Sequence, residues 1–257
     1  MGAGSDRFGG VERLYGPEAF GRFAAARVMV VGVGGVGSWA AECLARSGIG
    51  SLVLVDLDEI CLTNVNRQLH AMDGQIGRQK CEAMAERMRA IHPGCVVDVV
   101  PRFFNESSAA EILDGRLDVI LDAIDSTAHK ALLIAEGRAR GMRVVTCGGA
   151  GGRKDPTRIR VADLARSGSD PLLQQVRRRL RRDHGFPKAF GGTVQEDFGI
   201  DAVFSDEAMV TLPCTEEGAS GGSLRPRCAT GLGTAGHVTG AFGLVAAGRV
   251  LERLAQG

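Results

Sequence analysis

The sequence predicts an α/β fold, a mostly parallel sheet with helices on both faces, extended by a C-terminal half that completes the sheet or covers its site. Three observations carry this. Short apolar runs without alternation recur, as strands buried on both faces require. They alternate with stretches of helical periodicity, and strand–helix–strand succession builds right-handed parallel units. A glycine-rich turn follows the first apolar run, at Gly32, Gly34, Gly35 and Gly37.

Residues 28–32 are the first buried strand. The glycine turn leads into a helix over 36–46, stopped by Gly48. Residues 52–56 (LVLVD) are the second strand. After an irregular polar stretch, 77–91 carries helical periodicity, and Pro93 marks its end. Further strands are expected at 96–100, 119–121 and 144–146, with a helix over 127–140 between the last two. Beyond Asp155 the signal weakens: a helix over 170–184, a glycine-containing polar loop over 188–200, a strand opening at Val203, and a small, polar stretch over 216–226. Residues 228–248 carry no formal charge, yet glycines, threonines and His237 argue for a buried helix over about 235–254, not a membrane span. The chain is expected to be one adenylating domain over 1–257, with a nucleotide-binding core over about 24–152 and an extension over 153–257. No internal repeat is visible.

The bulk numbers exclude several classes. With 44% hydrophobic and 24% charged residues the chain is an ordinary globule, and a net charge of +1 gives no global pull toward polyanions or membranes, so any such contact must be local. Seven cysteines, at 43, 61, 81, 95, 147, 214 and 228, form no CxxC pair and give no support to a zinc ribbon. Their odd number, with no basic or apolar leader ahead of them, suits free thiols and a cytoplasmic location.

In a G-x-G-x-x-G turn one glycine makes the tight bend, a second admits phosphate to the backbone, and the third packs helix on strand, while the helix N-terminus offers N–H groups to the anion. Gly32, Gly34 and Gly37 fill those places, and Asp56 ends the next strand where an acid reaches a ribose hydroxyl. A nicotinamide enzyme would use the same turn and acid. The residues that follow argue for ATP: Arg67 and Lys80 can neutralise a triphosphate, and Asp125 can hold Mg²⁺ through one carboxylate. A dinucleotide carries only a pyrophosphate and needs no metal, and with Tyr15 as the single tyrosine a Tyr-x-x-x-Lys pair is excluded. Taken singly, Lys80 reads as a solvated first-turn residue, while Arg67 as a surface cation and Asp125 as the N-cap of the helix at Thr127 are on a par with the phosphate and metal readings; together, behind a phosphate turn, the three favour phosphate and metal chemistry.

At these residues the chain resembles the ubiquitin-activating-enzyme-like adenylyltransferases, which include molybdopterin- and thiamine-pathway members. Their GxGGxGS turn, ribose acid, N-x-x-RQ stretch, lysine and D-x-x-D are met by residues 32–38, Asp56, Asn64 with Arg67 and Gln68, Lys80, and Asp122 with Asp125. The resemblance implies a Rossmann-like fold that binds ATP·Mg²⁺, with Asp58, Asn66, Gln68 and Asp122 beside the nucleotide and Asp125 on magnesium. A carboxylate then attacks the α-phosphorus to give an acyl-adenylate. It also implies a homodimer, in which Arg13 reaches the partner's ATP, and a possible link to a cysteine desulfurase or sulfur-acceptor system.

Within the family, RFGGxxRLYG near the start, TNxNRQxHA at 63–71, DAIDS at 122–126, the segment 147–167, VFSDEA at 203–208 and RCATGLG at 227–233 look like the branch acting on tRNA. Its members cyclise threonylcarbamoyladenosine beside the anticodon at the expense of ATP. Activation of a ubiquitin-like sulfur carrier is the alternative, and the missing CxxC pairs count mildly against it. A tRNA partner needs a cationic surface, and Arg177, Arg178, Arg179, Arg181 and Arg182 form one dense run, expected to spread charge around most of a helix. Intramolecular cyclisation needs no enzyme nucleophile, so Cys228 is expected to be structural and Cys147 an ordinary buried thiol. No proton acceptor is visible; His129 and His237 have no support.

Overall fold

The computed structural model describes residues 3–190, 193–194, 196–210 and 232–257. Two helices, α1 (Ala3–Tyr15) and α2 (Pro17–Ala25), precede the first strand, β1 (Arg27–Val31). The core then runs α3 (Gly37–Arg46), β2 (Ser51–Val55), α4 (Lys80–Ile91), β3 (Val96–Val100), α5 (Ala109–Ile112), β4 (Val119–Asp122), α6 (Thr127–Ala139) and β5 (Arg143–Cys147). The second half adds β6 (Ile159–Asp163), α7 (Pro171–Asp183), the two-residue strands β7 (Ala189–Phe190) and β8 (Thr193–Val194), β9 (Asp201–Ser205) and α8 (Gly236–Ala255).

The main sheet has the order β3-β2-β1-β4-β5-β9-β6, with every pairing parallel except β6 with β9. After β3 the chain crosses back over β1 to lay down β4, and this reversal opens a crevice outside the carboxyl ends of β1 and β4. Alternate residues of one strand serve opposite faces. Val28 and Val30 join the core beneath α2, α3, α4 and α8, whereas Met29 and Val31 join the core beneath α5, α6 and α7.

The expected strands and helices are present, and the second half completes the sheet through β9. The differences have physical causes. The helix expected from residue 77 starts at Lys80, because Gly77 has φ +86° and the turn is pinned by Gly77 N–H to Ile60 O (2.9 Å) and Ile60 N–H to Arg78 O (2.8 Å). β6 was not visible as a strand: it is an antiparallel edge with one half-exposed face, so it lacks the continuous apolar run of its neighbours. The loop over 188–200 contains the β7–β8 hairpin, and its far end is fixed by Asp163, whose carboxylate accepts the N–H groups of Phe198, Gly199 and Ile200. Nothing in the pattern announced α1 and α2. They are held by packing, Phe8 edge-on to His92 (4.7 Å) and Tyr15 edge-on to Phe23 (5.1 Å), which overrides the poor helix propensity of Gly9 and Gly10.

Helix α8 is a buried helix, as expected, and among the described residues no helix is long and apolar enough to cross a membrane. It crosses α3 so closely that a Cβ on Gly243 would lie 2.5 Å from Val36 O, and Gly240 meets the Trp39 ring. Small residues at this crossing let a helix from the second half support the nucleotide turn from behind.

Candidate active site

The glycine turn occupies the crevice, and its geometry admits no side chain at two points. Gly32 has φ +87°, and a Cβ there would sit 2.8 Å from Ala123 O; a Cβ on Gly37 would fall 1.8 Å from Gly32 O. Gly35 is backed by Thr239 of α8 and the Arg67 stem, and Gly34 lies near Gln68. Asp56 fixes the turn to the end of β2, accepting the Val33 N–H (2.7 Å) and the Asp58 N–H (2.9 Å).

His70 clamps the same residue from the other side, with Nε2 2.9 Å from Val33 O. Burial, with the nearby charge of Lys80, pushes the imidazole below its ordinary pKa, outweighing the Val33 bond and Asp56. His70 is therefore neutral at pH 7; Nε2–H donates to Val33 and Nδ1 is left buried without a partner among the described residues. The residue lies within the quoted TNxNRQxHA segment, but a lone histidine gave no signal of this role.

The β2–α4 connection brings the cations to the crevice. Lys80 is 6% exposed, which excludes the solvated first-turn reading, and its Nζ donates to Asp58 Oδ2 at 2.7 Å. Arg67 is oriented by bonds from Nη1 to Thr63 O (2.7 Å) and Asn66 Oδ1 (3.0 Å). Its own carbonyl accepts from Trp39 Nε1 (3.1 Å) and Thr239 Oγ1 (3.2 Å), so α3 and α8 both hold it. Asn64 is buried and shapes the loop, accepting the Cys61 N–H at 3.0 Å, and buried Gln68 leaves Oε1 without a partner among the described residues. Asn66 Nδ2 donates to Thr234 O at 2.8 Å and ties this loop to the second half.

The two aspartates after β4 are unlike. Asp122 is fully buried, and its carboxylate is occupied by Lys130 Nζ (2.8 Å), Thr146 Oγ1 (2.6 Å) and the Ile124 N–H (3.0 Å). It sets the shape of the 122–125 turn; the structure does not turn it toward the crevice, and Lys130, its essential partner, had no sequence signal. Asp125 is exposed and has no hydrogen-bond or ion-pair partner among the described residues. It is not the N-cap of α6 either, since Ser126 holds that position without a side-chain bond.

Other expected residues fall elsewhere. Arg13 is exposed on α1, which is anchored by Arg7 to Ile91 O (2.7 Å) and by Phe8 to His92, before β3 and so at the amino ends of the strands. The fold does not bring it to its own crevice. Cys147 is a buried thiol, pushed up to about 12 by desolvation. Cys228 and the stretch 216–226 lie outside the described residues, as does most of 227–233. His237 is exposed and contacts Lys154 O at 3.0 Å, and neither it nor His129 joins the charged groups of the crevice. On the far side of the crevice, Arg153 is 3% exposed; Nη2 donates to Ser169 O at 3.1 Å, while Nε and Nη1 have no partner among the described residues.

A glycine turn at a helix N-terminus, an acid at the second strand end, Arg67 and Lys80 on the connection beside it, and a carboxylate after the fourth strand with no partner among the described residues are the features of a nucleoside triphosphate site. The ThiF family model matches residues 11–257, and this chain belongs to the ThiF family. Among its relatives, tRNA threonylcarbamoyladenosine dehydratase of Escherichia coli is 46% identical over 253 residues, covering 96% of this chain and 93% of that protein. The enzyme of the same description from Haemophilus influenzae is 45% identical over 248 residues, again 96% of this chain and 93% of that protein. The crystal structure of the E. coli dehydratase in complex with ATP matches with a TM-score of 0.85 at 44% identity, covering 97% of this chain and 94% of that one.

Proposed function

We propose that this protein is an ATP-dependent dehydratase that cyclises threonylcarbamoyladenosine beside the tRNA anticodon. The observation that carries this is the extent of the likeness: identity of 45–46% to the two dehydratases spans 96% of the chain, so it includes the substrate-side half and does not stop at the nucleotide crevice.

The threonine carboxylate attacks the α-phosphorus of ATP and pyrophosphate leaves. The ureido group of the same modification then closes on the activated carbonyl, and AMP departs with the former carboxylate oxygen, so one water is lost overall. Proximity supplies much of the barrier reduction, and no enzyme nucleophile is needed. The N–H groups of the 32–37 turn and the α3 N-terminus hold phosphate, and Asp56 orients the ribose. Arg67 and Lys80 offset the charge that grows on the departing pyrophosphate. Mg²⁺ would be held by Asp125 together with phosphate oxygens and water, which fits an exposed carboxylate otherwise without a partner.

Arg13 would serve the partner's ATP in a homodimer. Its remoteness from its own crevice supports this, as do the exposed apolar side chains of Leu14 beside it and of Leu62, Val65, Met72 and Ile76 on the β2–α4 connection. Mixing an Arg13→Ala subunit with a Lys80→Ala subunit should then restore part of the activity each lacks. We place the enzyme in the cytoplasm with its tRNA. A partnership with a cysteine desulfurase or sulfur-acceptor system rests on superfamily likeness, and co-purification from cells tests it.

The deciding experiment incubates the protein with ATP·Mg²⁺ and tRNA bearing the modification, with mass spectrometry under mild handling. Loss of the mass of one water is the expected result; an unchanged nucleoside overturns the reading. ATP–pyrophosphate exchange that depends on a small carrier protein with a C-terminal Gly-Gly would instead support carrier activation.

A further inference from the structure

The five arginines of α7 divide into two sets. Arg177 is half-buried and donates to Ser167 Oγ at 2.6 Å, and burial lowers its pKa from the ordinary arginine value. Arg181 donates to Pro187 O at 3.0 Å and lies 5.1 Å over the Phe198 ring. These two belong to the fold, which corrects the expectation that the run spreads its charge around the helix.

Arg178, Arg179 and Arg182 instead share one face. With Gln175 they oppose Ser126, Thr127 and Ala128, the start of α6, across a cleft of about 430 Å³. Asp183 is the acid paired to this set, 2.6 Å from Arg182 and 3.6 Å from Arg179. Arg178 has no ion-pair partner among the described residues, and the first turn of α6 holds no acid and no side-chain cap. Like charges three and four residues apart on a helix repel, as for Arg182 with Arg179 and Arg178, and a solvated face would intersperse acids among them. Ser126 follows Asp125 directly, so the cleft opens beside the activation site.

We propose that this cleft receives RNA phosphodiester groups next to the modified nucleoside and so presents it to the crevice. This rests on the tRNA reading above. Guanidinium groups and helix N-terminal N–H groups are common phosphate ligands that position nucleic acid without reading sequence. No aromatic side chain lines the cleft, so it offers no base stacking. The run of arginines is thereby narrowed to three, with the other two assigned to structure.

The test uses the full chain carrying Arg178→Gln, Arg179→Gln and Arg182→Gln, against a charge-matched control with Arg46→Gln, Arg116→Gln and Arg140→Gln. Binding of modified tRNA is measured over a series of NaCl concentrations, alongside ATP binding and thermal unfolding. The cleft variant should bind tRNA about tenfold more weakly near 0.1 M salt, with a shallower dependence of log K on log salt, and unchanged ATP affinity. The control should behave like the wild type. Equal losses in both variants would overturn the proposal, and so would parallel loss of ATP affinity, which would assign the cleft to nucleotide or pyrophosphate. Should the triple variant unfold, Arg178→Gln with rescue by Arg178→Lys replaces it; wild-type tRNA affinity in Arg178→Gln overturns the proposal. The wild-type cyclisation assay runs in parallel. Wild-type protein that binds tRNA through these arginines without cyclising it removes the dehydratase reading and leaves the cleft; wild-type protein that cyclises tRNA without needing them removes only the cleft.

Discussion

The two sides of the crevice are built on different terms. On the nucleotide side the charged groups are tied down: Asp56 to two backbone N–H groups, Lys80 to Asp58, and Arg67 to Thr63 and Asn66. After β4 and in the second half several have no partner among the described residues, namely Asp125, two nitrogens of Arg153, and the Arg178 guanidinium. A polar group whose partners lie inside the protein mainly contributes to the fold. One that is left open can serve what the protein binds: the buried Arg153 nitrogens are costly without a partner, whereas the exposed Asp125 and Arg178 stay solvated until a ligand meets them. The first side is preorganised by its own contacts; the second presents groups that a ligand would complete.

That contrast is sharpest between the two aspartates of the 122–125 turn. Asp125→Ala should abolish cyclisation while leaving the stability of the fold within about 0.5 kcal/mol, because an exposed carboxylate without a partner carries no packing. Normal turnover, or a large drop in melting temperature, would break the division. Asp122→Ala should do the reverse in kind, costing about 3–5 kcal/mol by leaving Lys130 buried and unpaired; chemical denaturation measures it. Gly243→Ala tests the support behind the nucleotide seat. It should cost about 1–3 kcal/mol through overpacking against Val36 and weaken ATP binding by displacing the turn, as calorimetry would register.

The smallest effect concerns His70. Its folded pKa is lowered, so the unfolded chain binds the proton more readily. Stability is then complete above the ordinary imidazole value of 6.5 and declines as pH falls through it toward the folded value. The slope from one such group is at most about 1.4 kcal/mol per pH unit. His92, also lowered by burial, adds a decline of the same sign, so the part that His70→Gln removes is the quantity to measure. An unchanged pH profile in that variant would take His70 out of the clamp.

The nucleotide side was legible because its chemistry is local. A buried parallel strand, a glycine turn and a strand-end acid are close in sequence, and the backbone performs much of the function. Residues whose roles depend on distant partners were not legible. Asp122 and Asp125 look alike in sequence, and only Lys130 and Thr146, brought together by α6 and β5, separate them. Arg177 and Arg178 are neighbours in one run, yet Ser167 takes the first inward while the start of α6 faces the second. Strand β6 and helices α1 and α2 were missed for a related reason, since tertiary pairing and packing decide them more than their own patterns do. The tRNA assignment came from likeness over the whole chain and from no single residue.

The support that α8 gives the glycine turn also bears on synthesis. A chain leaving the ribosome completes β1 and the turn early, but the helix that backs Gly35, meets Val36 and holds the Arg67 carbonyl emerges long afterwards. The nascent chain therefore has the glycine motif before the helix that supports it, and ATP affinity is expected to rise once α8 has docked.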